Sequence, residues 1–200
     1  MSEERDGFYV FPERAKTKLR KAYMEKQPVY IYGMVGYGKT ALVEHFLGKK
    51  KYLYFDAASS SLACLEALHT QSILVVDNLQ FLEDEFVKDR LLELIRQPDL
   101  WLIFISRSKC PGWLIGAYLK YRNFCTITET DLELSEEEIR SYLKGRGIEE
   151  YGPNDVRFVQ SYCRGHGLAI RLLCDQALIE GRPVKGQDVF DPCLLYTSDA

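Results

Sequence analysis

The sequence contains no apolar run approaching the roughly 20 residues of a membrane span. Its opening stretch, MSEERDGFYVFPERAKTKLRK, is charged throughout and lacks the apolar centre of a signal peptide. A cytoplasmic location with no membrane partner is therefore expected. Histidine is scarce: His45, His69 and His166 lie far apart. The six cysteines (Cys64, Cys110, Cys125, Cys163, Cys174 and Cys193) show no CxxC spacing. Zinc or a disulfide framework needs tighter patterning, so buried or idle thiols are the expectation. Basic charge is not in excess either. A net charge of −3 without a long basic block argues against this segment gripping DNA by itself. What is present is ordinary for a globular protein, 46% hydrophobic and 28% charged over 200 residues. A chain of that length can bury a core without metal or disulfide staples.

Apolar runs of strand length alternate with segments of helical period, which predicts an α/β fold built on a mainly parallel sheet. Strands are expected at Val29–Tyr32, Tyr52–Phe55, Ile73–Val76, Trp101–Ile105 and Phe124–Thr128. The run at 73–76 is continuous and apolar, as a strand covered on both faces requires. Helices are expected at Lys39–Leu47, about 62–69 and Phe86–Ile95. Beyond the fifth strand only helical periods remain, at about 136–144, 153–163 and 167–180. Ser135 and Glu138 read as a capping box opening the first of these. The predicted organisation is an α/β domain over 1–130, a small helical lid over 131–190, and a tail at 191–200. The tail's LLYTSDA reads as a cloning scar, beyond which the parent protein continued.

Gly33-Met34-Val35-Gly36-Tyr37-Gly38-Lys39-Thr40 fits GxxxxGK[ST] between a predicted strand and a predicted helix. Glycines in such a loop turn successive backbone N–H groups inward around phosphate oxygens, and the following helix adds its positive end. The expected ligand is ATP or ADP with Mg²⁺. The expected nucleotide contacts are Gly33, Gly36, Tyr37, Gly38, Lys39, Thr40 and Ala41, with Lys39 reaching the β- and γ-phosphates and Thr40 ligating the metal.

Ser72-Ile73-Leu74-Val75-Val76-Asp77 is an apolar strand ending in an acid, the form of a Walker B segment. Asp77 is expected beside Thr40 as the second metal ligand. Many ATPases carry another acid next in sequence, but this chain has Asn78. An amide cannot accept the proton of an attacking water, and loss of a general base costs on the order of 10²–10⁴ in rate. Hydrolysis is thus expected to be slow unless Glu83, Asp84 or another acid substitutes.

These residues resemble the nucleotide-binding domain of STAND signal-transduction ATPases, in particular the large ATP-dependent LuxR-family regulators that include the maltose-regulon activator. Four segments carry the resemblance. They are Gly36-Tyr37-Gly38-Lys39-Thr40; Leu102 to Arg107 with Pro111 after it; Asp131 to Glu138; and Gly165 to Leu173. The resemblance implies a P-loop NTPase of the AAA+/STAND type, with a parallel five-stranded sheet and a helical lid. It makes Arg107 the residue that senses the γ-phosphate, completing a catalytic set of Lys39, Asp77 and Arg107. It places 165–173 near the nucleotide, and Val10-Phe11-Pro12 with Arg14 beside the adenine. Gly167 stands where the family commonly has proline.

The activity implied is that of an ATP-gated switch in a transcriptional regulator, with weak ATPase activity and self-association in the ATP state. DNA would be contacted only through a domain missing from this chain. The alternative is an AAA+-type ATPase whose turnover drives remodelling or a step of DNA replication. A small-molecule P-loop kinase is disfavoured, because the end of the chain is Leu-rich where a kinase lid is Arg-rich.

Overall fold

The computed structural model describes residues 8–66, 72–120, 123–181 and 184. The expected tail at 191–200 and the end of the helix expected at 62–69 lie outside these residues. By internal contacts the chain divides into two units. The sheet unit comprises Glu13–Val35 and Lys39–Asp131. The helical unit comprises, among the described residues, 8–12, Gly36–Gly38, 132–181 and 184.

In chain order the sheet unit contains α1 (Glu13–Met24), β1 (Val29–Tyr32), α2 (Lys39–Leu47), β2 (Leu53–Asp56), α3 (Leu62–Glu66) and β3 (Ile73–Asp77). A 3₁₀ turn at Leu79–Phe81 follows, then α4 (Glu85–Ile95), β4 (Trp101–Ser106), α5 (Gly112–Lys120) and β5 (Cys125–Ile127). The short α6 (Glu129–Leu132) begins directly after. The five strands form one sheet in the order β2-β3-β4-β1-β5, and every pairing is parallel. Each of the five expected strands is present, with ends displaced by at most one residue.

Parallel strands must be joined by crossovers, so both faces of the sheet are covered by helices. β3 and β4 are buried at every position, which explains their unbroken apolar sequences. Alternation along the strands sends Tyr30, Leu74, Val76, Leu102 and Phe104 to one face. There they join Leu91, Leu94 and Ile95 of α4 and Leu114 of α5 in a single core. Trp101 is fully buried, with its ring edge-on to Tyr23 of α1 at 4.9 Å and tilted against Phe46 of α2 at 5.9 Å. Its indole Nε1–H donates to the Gln27 carbonyl at 2.8 Å. Trp101→Ala empties this aromatic cluster and is expected to cost roughly 3–5 kcal/mol of stability, read as a fall in the urea midpoint at unchanged m-value.

Three helices absent from the expectations are α1, α5 and α6. α1 buries Ala15, Leu19 and Ala22, a spacing of four and three that marks a narrow helical stripe. It starts at Glu13, so Arg14 stands exposed in its first turn.

The helical unit contains α7 (Glu136–Gly145), α8 (Pro153–Cys163) and α9 (Gly167–Glu180), whose bounds match the expected segments to one residue. Ser135 and Glu138 form the expected capping box, with Ser135 N–H donating to Glu138 Oε2 at 2.8 Å. Pro153 opens α8, and the left-handed pair Arg164 and Gly165 turns the chain into α9. Leu134, Ile139, Leu143, Val156, Val159, Ile170 and Leu173 are among the side chains of its core. Arg146, almost fully buried, is ion-paired with Asp175. No helix among the described residues is long and apolar enough to cross a membrane.

Candidate functional site

The loop between β1 and α2 leaves the carboxyl end of a strand that lies between β4 and β5. The connection from β1 runs to β2 at one edge of the sheet, whereas that from the adjacent β4 runs to β5 at the other. Ligands of open parallel sheets gather at such reversals of strand order, outside the strands' carboxyl ends.

Lys39 opens α2 and is 8% exposed. Its ammonium donates to the carbonyls of Gly33 at 2.5 Å and Met34 at 2.8 Å, closing the loop on itself. Burial lowers its pKa to about 8; Asp77 and Glu129 oppose that shift, and the Arg107 guanidinium adds to it. Thr40 Oγ1–H donates to Asp77 Oδ2 at 2.7 Å, and Tyr54 OH donates to the same oxygen at 3.0 Å. Desolvation first, and then Asp77, push the Tyr54 phenol well above its ordinary range, so it remains a donor. The hydroxyl of Thr40 and the carboxylate of Asp77 supply only oxygen, a donor set suited to a hard cation such as Mg²⁺.

Glu129, one of the side chains that the sequence did not single out, borders the loop. Its Oε1 accepts the Met34 N–H at 2.8 Å, and a Cβ at Gly33 would stand 2.8 Å from its Cγ. Only glycine fits at 33 with this carboxylate in place. The loop tip, Gly36–Gly38, belongs to the helical unit. Gly36 accepts the Leu168 N–H at 3.0 Å, and the Tyr37 ring meets that of His166 edge-on at 4.4 Å. His166 caps α9, its Nδ1 accepting the Ala169 N–H at 3.2 Å.

A second set of polar groups gathers at the ends of β2, β3 and β4. Asn78 has a left-handed backbone (φ 54°), and its side-chain amide donates to Asp56 Oδ1 at 3.0 Å. Gln80 Nε2 reaches Asn78 Oδ1 at 3.4 Å, while Gln80 Oε1 accepts the Arg107 N–H at 3.0 Å and the Ser106 hydroxyl at 3.3 Å. The two acids named above as possible substitutes have other settings. Asp84 is the N-cap of α4, accepting the Phe86 and Val87 N–H groups, and Glu83 is exposed. The carboxylate that meets Asn78 is that of Asp56. Arg107 follows β4 directly; its side chain is exposed and its guanidinium lies 5.7 Å from the centre of the Phe81 ring. Ala41 is half-buried in the first turn of α2.

No protein-family model and no curated protein sequence matches the chain. Solved structures do match. A Walker-type ATPase of Pyrococcus abyssi superposes with a TM-score of 0.61 at 14% identity, over 88% of this chain and 69% of that one. A Thermotoga maritima RuvB variant gives 0.62 at 17% identity, over 92% of this chain and 69% of that one. A STAND protein with a tetratricopeptide-repeat sensor from Pyrococcus horikoshii gives 0.59 at 15% identity, over 84% of this chain.

The chain has the P-loop NTPase fold.

Its structural neighbours are P-loop ATPases of the AAA+ and STAND kinds. This chain spans 64% of another RuvB variant and 30% of the STAND protein. β4 separates β1 from β3 in the sheet, and it is the first turn of α2 that brings Thr40 to the acid at the end of β3. Lys39, Thr40 and Asp77 accordingly come together from positions almost forty residues apart.

Proposed function

We propose that this chain is an ATP-binding switch of the STAND type, which hydrolyses ATP slowly and self-associates in its ATP state. The observation that carries the reading is the hydrogen bond from Thr40 to Asp77 at 2.7 Å, directly after a phosphate loop whose lysine is buried. In this reading the loop's N–H groups and Lys39 hold the β- and γ-phosphates, and Thr40 and Asp77 hold Mg²⁺. The bound metal would neutralise phosphate charge. Arg107, next to β4, provides a contact present with ATP and absent with ADP, the differential interaction that any switch requires. Arg14 and Ala41 complete the proposed nucleotide contacts.

The four segments resembling LuxR-family regulators extend the proposal to a cytoplasmic transcriptional regulator. DNA would be contacted there by a domain outside this chain. A remodelling ATPase of the AAA+ kind is the second reading, and the RuvB-like fold favours it. Rapid turnover without any ATP-dependent change of oligomeric state would select that reading.

Thermal unfolding in the presence of MgATP or MgADP tests the proposal directly. Ligand at 100 times its dissociation constant adds about 2.7 kcal/mol, a rise of roughly 5–10 °C for a domain of this size. The rise is expected with both nucleotides and is expected to vanish in Lys39→Met. Light scattering should then show larger particles with ATP than with ADP. No rise with either nucleotide would remove the reading.

A further inference from the structure

Hydrolysis in this fold is speeded by a group that orients or deprotonates the attacking water, and position 78 offers an amide, which can do only the first. We infer that Asp56, at the end of the neighbouring strand, is the general base for ATP hydrolysis by this chain. The inference rests on the ATP reading above.

β2 and β3 pair in register, with Asp56 opposite Asp77. Neighbouring strands lie about 4.8 Å apart, so Asp56 stands one strand over from the proposed metal ligand. Asn78 joins the two. Its side-chain N–H donates to Asp56 Oδ1, its backbone N–H donates to Asp77 Oδ1 at 2.6 Å, and its side-chain Oδ1 accepts from Gln80 Nε2. Gln80 is fixed in turn by Ser106 and the Arg107 backbone. A continuous line of hydrogen bonds therefore runs from the end of β4 to the Asp56 carboxylate. Asn78 keeps a left-handed backbone in this line, a conformation that asparagine tolerates better than most residues.

Asp56 has two sets of partners. The Ala58 N–H at 3.0 Å and the Ser59 hydroxyl at 2.9 Å are local and form a turn that ends the strand. The amide of Asn78, which follows β3, is not needed for that turn. The three side-chain hydrogen bonds leave one of the carboxylate's roughly four acceptor positions for a further donor. A water molecule held there and aimed at the γ-phosphate completes the arrangement. All three partners donate to the carboxylate, an arrangement that suits its ionised, proton-accepting form. In the step, water gives its proton to Asp56 as its oxygen bonds to the γ-phosphorus. The bond from that phosphorus to the β–γ bridging oxygen breaks, its electron pair leaves with ADP, and Asp56 releases the proton to solvent.

Phosphate release from MgATP is compared in the unchanged chain, Asp56→Asn and Asn78→Ala, with the nucleotide-induced melting shift recorded for each. Asparagine can keep the local turn, so Asp56→Asn is expected to bind nucleotide as before. Its phosphate release should fall by about 100-fold or more. Asn78→Ala removes the donor that orients the Asp56 carboxylate and should lower phosphate release while the nucleotide-induced melting shift persists. Phosphate release by Asp56→Asn within threefold of the unchanged chain, with binding intact, would overturn the inference. A binding-competent unchanged chain that releases phosphate no faster than Asp56→Asn would do the same. If the unchanged chain shows no nucleotide shift, the ATP reading itself fails, and this inference falls with it.

Discussion

Lys39→Met is expected to abolish a rise in stability that the unchanged chain shows between pH 8 and pH 10.5. Lys39 has its pKa lowered by burial from 10.5 to about 8 in the folded chain. Between those values the unfolded state binds a proton that the folded state has released, so stability rises with pH. The gain from pH 7 to pH 10 is roughly 2–3 kcal/mol, and below pH 8 it is absent. Other ionisable groups contribute alike to both proteins, so the difference between their urea-unfolding curves isolates Lys39. Equal pH slopes would show that the ammonium is not desolvated as the hydrogen bonds to Gly33 and Met34 imply. The same linkage predicts proton uptake on nucleotide binding. Phosphate beside Lys39 raises its pKa, so at pH 8 about half a proton should be taken up per nucleotide bound. Calorimetry in buffers of differing ionisation enthalpy measures that uptake, which should fall towards zero at pH 6, where Lys39 is already protonated in the free chain.

Gly36→Ala is the second substitution with a large expected effect. Gly36 has φ +89°, where a side chain is strained, and a Cβ there would lie 2.4 Å from His166 Cε1 and 2.8 Å from Leu168 Cβ. The backbone term alone is of order 1–2 kcal/mol, and relieving the overlap adds a comparable amount. A loss of about 3 kcal/mol is expected, together with weaker nucleotide binding. Truncating the ring in His166→Ala opens space at the nearer of these contacts. The double variant should therefore be less destabilised than the two single effects summed, by about 1 kcal/mol. Simple additivity would mean that the His166 ring does not confine the loop tip.

Much of this arrangement was legible in the sequence, and the reasons are specific. β3 and β4 are buried on both faces, so their sequences are unbroken apolar runs with sharp ends. Ser135, Pro153 and Gly181 mark helix ends by chemistry that acts within four residues. The phosphate loop is contiguous, and so is the strand leading to Asp77. α1 escaped because only Ala15, Leu19 and Ala22 are buried in it, a stripe too narrow to stand out among its charges. α5 contains two glycines, Gly112 and Gly116, which weaken its helical signal. Asp56 escaped for a different reason. Its partner Asn78 is twenty-two residues away, and only strand register brings the two together. Glu129 and Gln80 likewise acquire meaning only through neighbours distant in the chain.

The position of β1 in the sheet also bears on how the protein comes into being. β1 is made early in synthesis, yet both of its neighbours, β4 and β5, come last among the strands. At about five to twenty residues per second, β1 waits several seconds at the ribosome before the segment that completes its second edge exists. Throughout that interval Val29-Tyr30-Ile31-Tyr32 is an apolar strand with unpaired backbone on both sides, the kind of segment that seeks other chains. The loop that carries Lys39 thus grows from the strand that waits longest for its partners among the five described.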